Sequence, residues 1–212
     1  MLSLLAAFAA AFALGSIPTA LWLGRALRGI DLRQHGSGNL GATNVYRVLG
    51  PRWGITALLA DAGKGVAAVL VARSLGGSAP DPIWHAILGL FGALLGHMFT
   101  PFAGWRGGKG VATAAGAWGA LAPLPLGLAL GAWIVIFVAS RIVSLASVIA
   151  GLVLPIVLLL TRRSPLSDPL VWFGVVTGAL ILLRHRPNLQ RLARGEEKPL
   201  ALRRAGAGKG AR

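Results

Sequence analysis

Residues 111–140 read VATAAGAWGALAPLPLGLALGAWIVIFVAS, a run without a single charged side chain. Whether it crosses a membrane once or twice decides the fold. As one helix it would be about 45 Å long, well beyond a hydrocarbon core of about 30 Å. The APLP at 122–125 places two prolines near its middle, and proline both removes a helix donor and pushes its predecessor out of helical geometry. A break between Leu121 and Pro125 yields two short spans, 111–122 and 125–140. Outward from there, apolar runs near 3–24, 54–74, 83–102, 145–161 and 168–183 read as further spans. The predicted fold is all-α: a polytopic membrane bundle of seven transmembrane helices.

Composition agrees. Of 212 residues, 55% are hydrophobic and only 13% charged, which belongs to the membrane class. The absence of cysteine excludes disulfides, thiolate nucleophiles and thiolate metal sites. The opening MLSLLAAFAAAFALGSIPTALWLG lacks a basic leader and stays apolar too long for a signal peptide, so it is expected to remain as the first span.

The formal charge of +15 would suggest nucleic acid in a soluble chain. Here the basic residues sit in connectors and report topology. With seven spans, one side receives 25–53, 103–110, 141–144 and 184–212. Those segments hold all of the 21 Lys and Arg residues except Lys64, Arg73, Arg162 and Arg163. Six spans would carry the Arg-rich tail to the other side. The positive-inside rule therefore selects seven, with the N-terminus outside and the C-terminus cytoplasmic. The expected partner is the bilayer, not nucleic acid. The outer connectors SLGGSAPDP (74–82) and TRRSPLSDP (161–169) are ordinary turn sequence. Residues 1–197 form one membrane domain, and 198–212 read as a basic tail without fixed structure.

Four polar clusters fall on the inner side. The first is HGSGNLGATNVYR (35–47) with its lead-in GSIPTALWLGR (15–25). Gly36, Gly38 and Gly41 permit a backbone nest of N–H groups for phosphate oxygens, Ser37, Asn39, Thr43 and Asn44 add neutral donors, and Arg47 adds a fork for phosphate. The second is GHMFTPFAGWRGGKGVAT (96–113). It resembles a phosphate loop but is not a Walker A motif: Gly110, not Ser or Thr, follows Lys109, and Ala103 stands where that motif requires glycine. What remains is a glycine-flanked cation at a helix start, which favours anions. The third is DAGKG (61–65), with Asp61 and Lys64 on one helical face inside a span, either a steadying pair or a functional one. The fourth joins SRIVSLAS (140–147) to RHRPNLQRLARGEE (184–197). The histidines His35, His85, His97 and His185 have no zinc-motif spacing, and no acidic cluster suits a hard cation, so neither metal nor cofactor is expected. Neither HxxxxD nor GxSxG occurs.

Taken in order, GSIPTALWLGR, GSGNLGATNVYR, DAGKG, GHMFTPFAGWRGGKGVAT, SLAS and PNLQRLARGEE resemble one family, the bacterial acyl-phosphate:glycerol-3-phosphate acyltransferases. Thr100 and Ala103–Arg106 depart from that pattern, and GGKG is intact. The resemblance implies a seven-span enzyme of the bacterial inner membrane with a cytoplasmic site, taking acyl phosphate and sn-glycerol 3-phosphate to 1-acylglycerol 3-phosphate (lysophosphatidate) and phosphate in phospholipid synthesis. It also implies a partner enzyme that supplies acyl phosphate. It assigns Ser37, Arg47, Lys109, Ser144 and Asn188 to glycerol 3-phosphate. Gly38, Asn39, Gly41, Thr43 and Asn44 fall to the acyl-phosphate phosphate, with Gly108 and Gly110 closing that site, and His185 to placement of either the acceptor hydroxyl or the loop next to it. No side chain stands out as base, so the donor's own phosphate is the expected proton acceptor and catalysis rests on proximity and charge. A transporter for a phosphorylated metabolite is the competing reading. It is disfavoured because the motifs gather on one face and no inverted repeat is evident.

Overall fold

A computed structural model describes residues 1–77 and 82–201, and every regular element among them is helical. The α-helices are α1 (Leu2–Gly15), α2 (Thr19–Arg28), α3 (Ala42–Leu49), α4 (Pro51–Gly76), α5 (Ile83–Met98), α6 (Val111–Leu121), α7 (Pro123–Ser140), α8 (Val143–Thr161), α9 (Pro169–Arg184) and α10 (Arg186–Ala193). Part of the connector at 74–82 lies outside the described residues.

The stretch 111–140 is two helices. The chain leaves helical geometry at Ala122 (φ −147°, ψ 75°), and Pro123 opens α7, where its missing N–H is not needed. With 11 residues, α6 is about 16 Å long, half the hydrocarbon thickness. Among the described residues, five helical stretches are long and apolar enough to cross a membrane: Leu2–Arg28, Pro51–Gly76, Ile83–Ala103, Pro123–Ser140 and Val143–Thr161; Val111–Leu121 and Pro169–Arg184 are shorter apolar helices.

The first span differs from expectation. It is not continuous over 3–24 but breaks at Ser16–Pro18, between α1 and α2. Pro18 withholds an N–H and disfavours helical geometry at Ile17. The break frees two carbonyls, and both find polar side chains from elsewhere in the bundle: Thr100 Oγ1, just past α5, donates to Ser16 O at 2.6 Å, and Lys64 Nζ of α4 donates to Ile17 O at 2.9 Å.

Helix α5 runs through the centre and is largely buried, whereas α7 lies at the edge of the bundle, bound to α8 by Trp133 Nε1 donating to Ser147 Oγ at 3.2 Å, and buries only Pro125 and Ala129 fully. Leu90, Leu94 and Met98 of α5 pack with Trp118, Leu154, Leu158 and Ile181, and Trp118 Nε1 donates to Thr177 Oγ1 at 3.2 Å. Between helices in lipid, close van der Waals contact does the work that water exclusion does elsewhere. The α4–α6 contact shows it: a Cβ on Gly116 would lie 1.9 Å from the Ala62 carbonyl oxygen, and one on Gly65 2.2 Å from that of Thr113. At one end of the bundle, a smaller apolar cluster built from Leu21, Leu32, Leu40, Val45, Leu49, Ala57 and Ala103 seats α2 and α3 across α4. That end carries every connector singled out for its polar content.

Candidate active site

The first loop is held from within. Asn44, 2% exposed, accepts from the Ser37 N–H at 2.8 Å and donates to the carbonyls of His35 (3.0 Å) and Leu32 (3.2 Å). Both N–H donors of its amide are spent on these carbonyls, leaving none for an anion, and the side chain acts as the peg around which 32–37 turns. Gly36 and Gly38 have φ of +64° and +70°, the left-handed region that glycine enters without strain. The Gly38 N–H closes a turn on His35 O at 3.1 Å. The Ser37 and Gly38 amides expected to face an anion therefore serve the loop itself. Ser37 and Gly38 stand exposed at its tip, while Asn39, Gly41 and Thr43 are half-buried at the start of α3, where first-turn N–H groups have no intrahelical partners.

The second loop is also occupied with its own fold. The Gly107 and Gly108 N–H groups donate to Met98 O and His97 O, each at 3.1 Å, and so satisfy the carbonyls that the end of α5 leaves open. Arg184 Nη2 donates to Gly108 O at 2.9 Å and Gly107 O at 3.4 Å with its guanidinium over the Phe99 ring. A Cβ on Gly108 would lie 2.1 Å from His97 Nε2. Close packing, rather than a backbone phosphate nest, explains the glycines at 107 and 108. Gly110 (φ +84°) caps α6 and delivers Lys109 to the site.

The two loops meet. The Arg33 guanidinium is tied to Asp31 and donates to Ala103 O at 2.9 Å, and its hydrogen bond is the main reason the Asp31 carboxyl falls to about 2. Leu40 shares a small cleft with Gly107 and Gly108.

Beside that junction the remaining functional groups converge. Lys109 Nζ donates to Asn188 Oδ1. Asn188 Nδ2 donates to Glu197 Oε1 at 2.6 Å, Ser144 Oγ donates to the same oxygen at 2.7 Å, and Arg191 Nε donates to Glu197 Oε2 at 2.8 Å. Arg47 reaches over to Lys198 O at 3.2 Å. Burial lowers Lys109 to about 8; the Glu197 carboxylate opposes this, while Arg191, Arg47 and Arg184 add to it. Burial works against the Glu197 anion, yet hydrogen bonds from Asn188, Ser144 and Arg191 outweigh it and hold the carboxyl below its usual value. His185, 3% exposed, has Nδ1 on Ile181 O at 2.8 Å. Burial first and the Lys109 charge second push it down to about 4, so it is neutral at ordinary pH.

Of the residues expected at the site, Ser144 and Asn188 thus donate to one carboxylate, Lys109 is tied to it through Asn188, Arg47 bonds the carbonyl of the next residue, and His185 lies within the fields of Lys109 and Glu197. Glu197, Arg191 and Arg184 join them although the sequence reading gave them no role. The signal for Glu197 was an acidic pair closing an otherwise cationic segment. Of the tail read as lacking structure, Lys198–Ala201 is described, with Leu200 N on Arg141 O at 2.8 Å, and 202–212 lies outside the described residues.

A sequence model of the glycerol-3-phosphate acyltransferase family matches residues 5–195. The chain belongs to that family. It is 46% identical over 197 residues to a glycerol-3-phosphate acyltransferase of Geobacter sulfurreducens, covering 93% of this chain and 97% of that one. It is 45% identical over 196 residues to one of Thermosynechococcus vestitus, covering 89% and 91%. Among solved structures it resembles PlsY, an integral membrane glycerol 3-phosphate acyltransferase, at 37% identity. The glycerol 3-phosphate form superposes with a TM-score of 0.84 over 94% of this chain and 96% of that one, and the lysophosphatidic acid form with 0.79 over 93% and 95%. This chain is accordingly a membrane-embedded glycerol-3-phosphate acyltransferase of phospholipid synthesis.

Proposed function

We propose that the acyl donor is acyl phosphate and that the fatty acyl group goes to the 1-hydroxyl of sn-glycerol 3-phosphate. The acceptor oxygen bonds to the donor's carbonyl carbon, the carbon–oxygen bond to phosphate breaks, and the products are lysophosphatidate and inorganic phosphate. The departing phosphate takes the hydroxyl proton. His185 is neutral and its Nδ1 is engaged with Ile181 O, so it places the acceptor rather than stripping it. Ser37, Arg47, Lys109, Ser144 and Asn188 take the glycerol 3-phosphate. The donor phosphate lies at the open first turn of α3, with Gly38, Asn39, Gly41 and Thr43 about it, Asn44 shaping the loop beneath, and Gly108 and Gly110 setting the lysine turn alongside.

The observation that carries this reading is that Ser144, Asn188 and Arg191 all donate to the Glu197 carboxylate, while Lys109, bound to Asn188, sits within the fields of Glu197, Arg191, Arg47 and Arg184. A donor set that binds the two oxygens of a side chain from three directions has the polarity and shape to bind phosphate oxygens. Charge placement supports seven crossings of the inner membrane by one domain, residues 1–197, with this site facing the cytoplasm and an acyl-phosphate-producing enzyme upstream. The test is purified protein given acyl phosphate and glycerol 3-phosphate. Phosphate release that requires glycerol 3-phosphate is expected. Transfer from an acyl thioester alone refutes the donor assignment, and uptake into vesicles without release selects a transporter.

A further inference from the structure

Asp61, Lys64 and His97 take no part in the acyl transfer drawn above, although they are 2%, 8% and 7% exposed. Charges inside a bundle lower stability unless paired and hydrogen-bonded, and these are paired in a particular way. Lys64 Nζ lies 2.9 Å from Asp61 Oδ1 and is itself fixed on Ile17 O, the carbonyl freed by the break between α1 and α2. Thr19 Oγ1 donates to Asp61 Oδ1 at 3.3 Å, and His97 Nδ1 faces the same oxygen at 3.7 Å. The other edge of the His97 ring meets the second loop, with Nε2 lying where a Gly108 Cβ would be only 2.1 Å away. The backbone of His97 holds that loop too, through the Gly108 N–H. A pair that merely steadied α4 would not need a ring interposed between its carboxylate and the turn that carries Lys109.

We propose that Asp61, Lys64 and His97 form a positioning assembly. Asp61 sets the angle of the His97 ring, Lys64 and Thr19 lock Asp61 to the helix break, and the ring is the stop against which Gly107–Gly108–Lys109 is seated. The lysine ammonium is thereby aligned with Asn188 and the phosphate it must hold. Leu40 of the first loop lines the same small cleft, so the assembly registers the two loops against each other. The three residues are positioning residues, since none touches the acceptor. The inference rests on the acyltransferase reading of the site.

Two variants test it, Asp61→Asn combined with Lys64→Met, which leaves no buried charge unpaired, and His97→Gln, which keeps a polar side chain but removes the ring. Thermal midpoint in detergent, glycerol 3-phosphate affinity by titration calorimetry and kcat/KM are measured for each. The expected result is a retained midpoint with glycerol 3-phosphate binding weakened and kcat/KM reduced on the order of tenfold to a hundredfold, as for a misplacement of about 1 Å. Folded variants that bind and turn over like wild type overturn the proposal. So does failure of both to fold, which would make the cluster a folding element only. Wild-type protein that binds glycerol 3-phosphate but ignores acyl phosphate would refute the donor assignment instead, and the binding data would still judge the assembly.

Discussion

Replacing Glu197 with Gln removes the carboxylate at the centre of the site and changes little else. The side chain is 6% exposed and its Arg191 partner 39%. Hydrogen bonds to charged groups are worth about 1.5–3 kcal/mol each, and the Arg191 arm is discounted for its exposure. Glutamine keeps one acceptor oxygen. If that oxygen serves Ser144 and Asn188, its NH2 group confronts Arg191. If it serves Arg191, Asn188 must reverse its amide and turn its own NH2 group toward the Lys109 ammonium. Either arrangement lowers the stability of the assembled site by about 2 kcal/mol, a fall in kcat/KM on the order of thirtyfold.

The pH profile separates this account from simple loss of packing. The Lys109 ammonium is the working form, so activity is present below its pKa and lost as pH rises through it, placing the basic limb of kcat/KM near 8. Glu197 is the group that holds that value up against burial and the neighbouring arginines. In Glu197→Gln the limb moves to lower pH. A folded Glu197→Gln enzyme whose limb stays at the wild-type position would show that the carboxylate does not govern Lys109, and the reasoning would fail.

Other outcomes follow from the same geometry. Gly108→Ala brings a methyl within 2.1 Å of His97 Nε2 and is expected to raise KM for glycerol 3-phosphate and lower kcat together, by about a hundredfold in kcat/KM; steady-state kinetics at wild-type values would contradict the packing role given to this glycine. Asn44→Ala leaves the Ser37 N–H and two carbonyls without their partner, a destabilisation of about 1–3 kcal/mol that should appear as a lower thermal midpoint and faster proteolysis at 35–41. Because His185 sits near 4, it contributes no acidic limb around the ordinary histidine value of about 6.5; a limb there that vanishes in His185→Gln would restore it as a base.

Much of this was legible in the sequence because apolar length and Lys/Arg placement are local signals. The proline pair marked the interruption between α6 and α7, and glycine-rich motifs marked the polar connectors. The break at Ser16–Pro18 was equally written in SIP but was masked by apolar residues on both sides. What the sequence withheld was the allocation of hydrogen bonds. Asn44 reads as a ligand donor until the loop is seen wrapped around it, and the Gly107 and Gly108 amides read as a phosphate nest until they are seen capping α5. Glu197 was hidden because a carboxylate is the residue least expected in an anion site, and only the fold brings it from the tail to Ser144, 53 positions away in the chain.

That allocation has a chemical consequence. The amides of Ser37, Gly38, Gly107 and Gly108 are engaged by the fold, so, apart from the open first turn of α3 proposed for the donor, the acceptor phosphate must be held chiefly by side chains, which carry full charge and respond to their neighbours. Glu197 then does more than brace the site: it keeps Lys109 protonated while limiting repulsion among cations that would otherwise drive one another apart. A doubly charged phosphate entering beside Lys109 supplies the same kind of compensation more strongly, raising the lysine's affinity for its proton as it binds. Acceptor binding and lysine protonation are thus coupled, each favouring the other, so the basic limb seen in kcat should lie at higher pH than that seen in kcat/KM. Coincident limbs would mean that the phosphate settles away from Lys109.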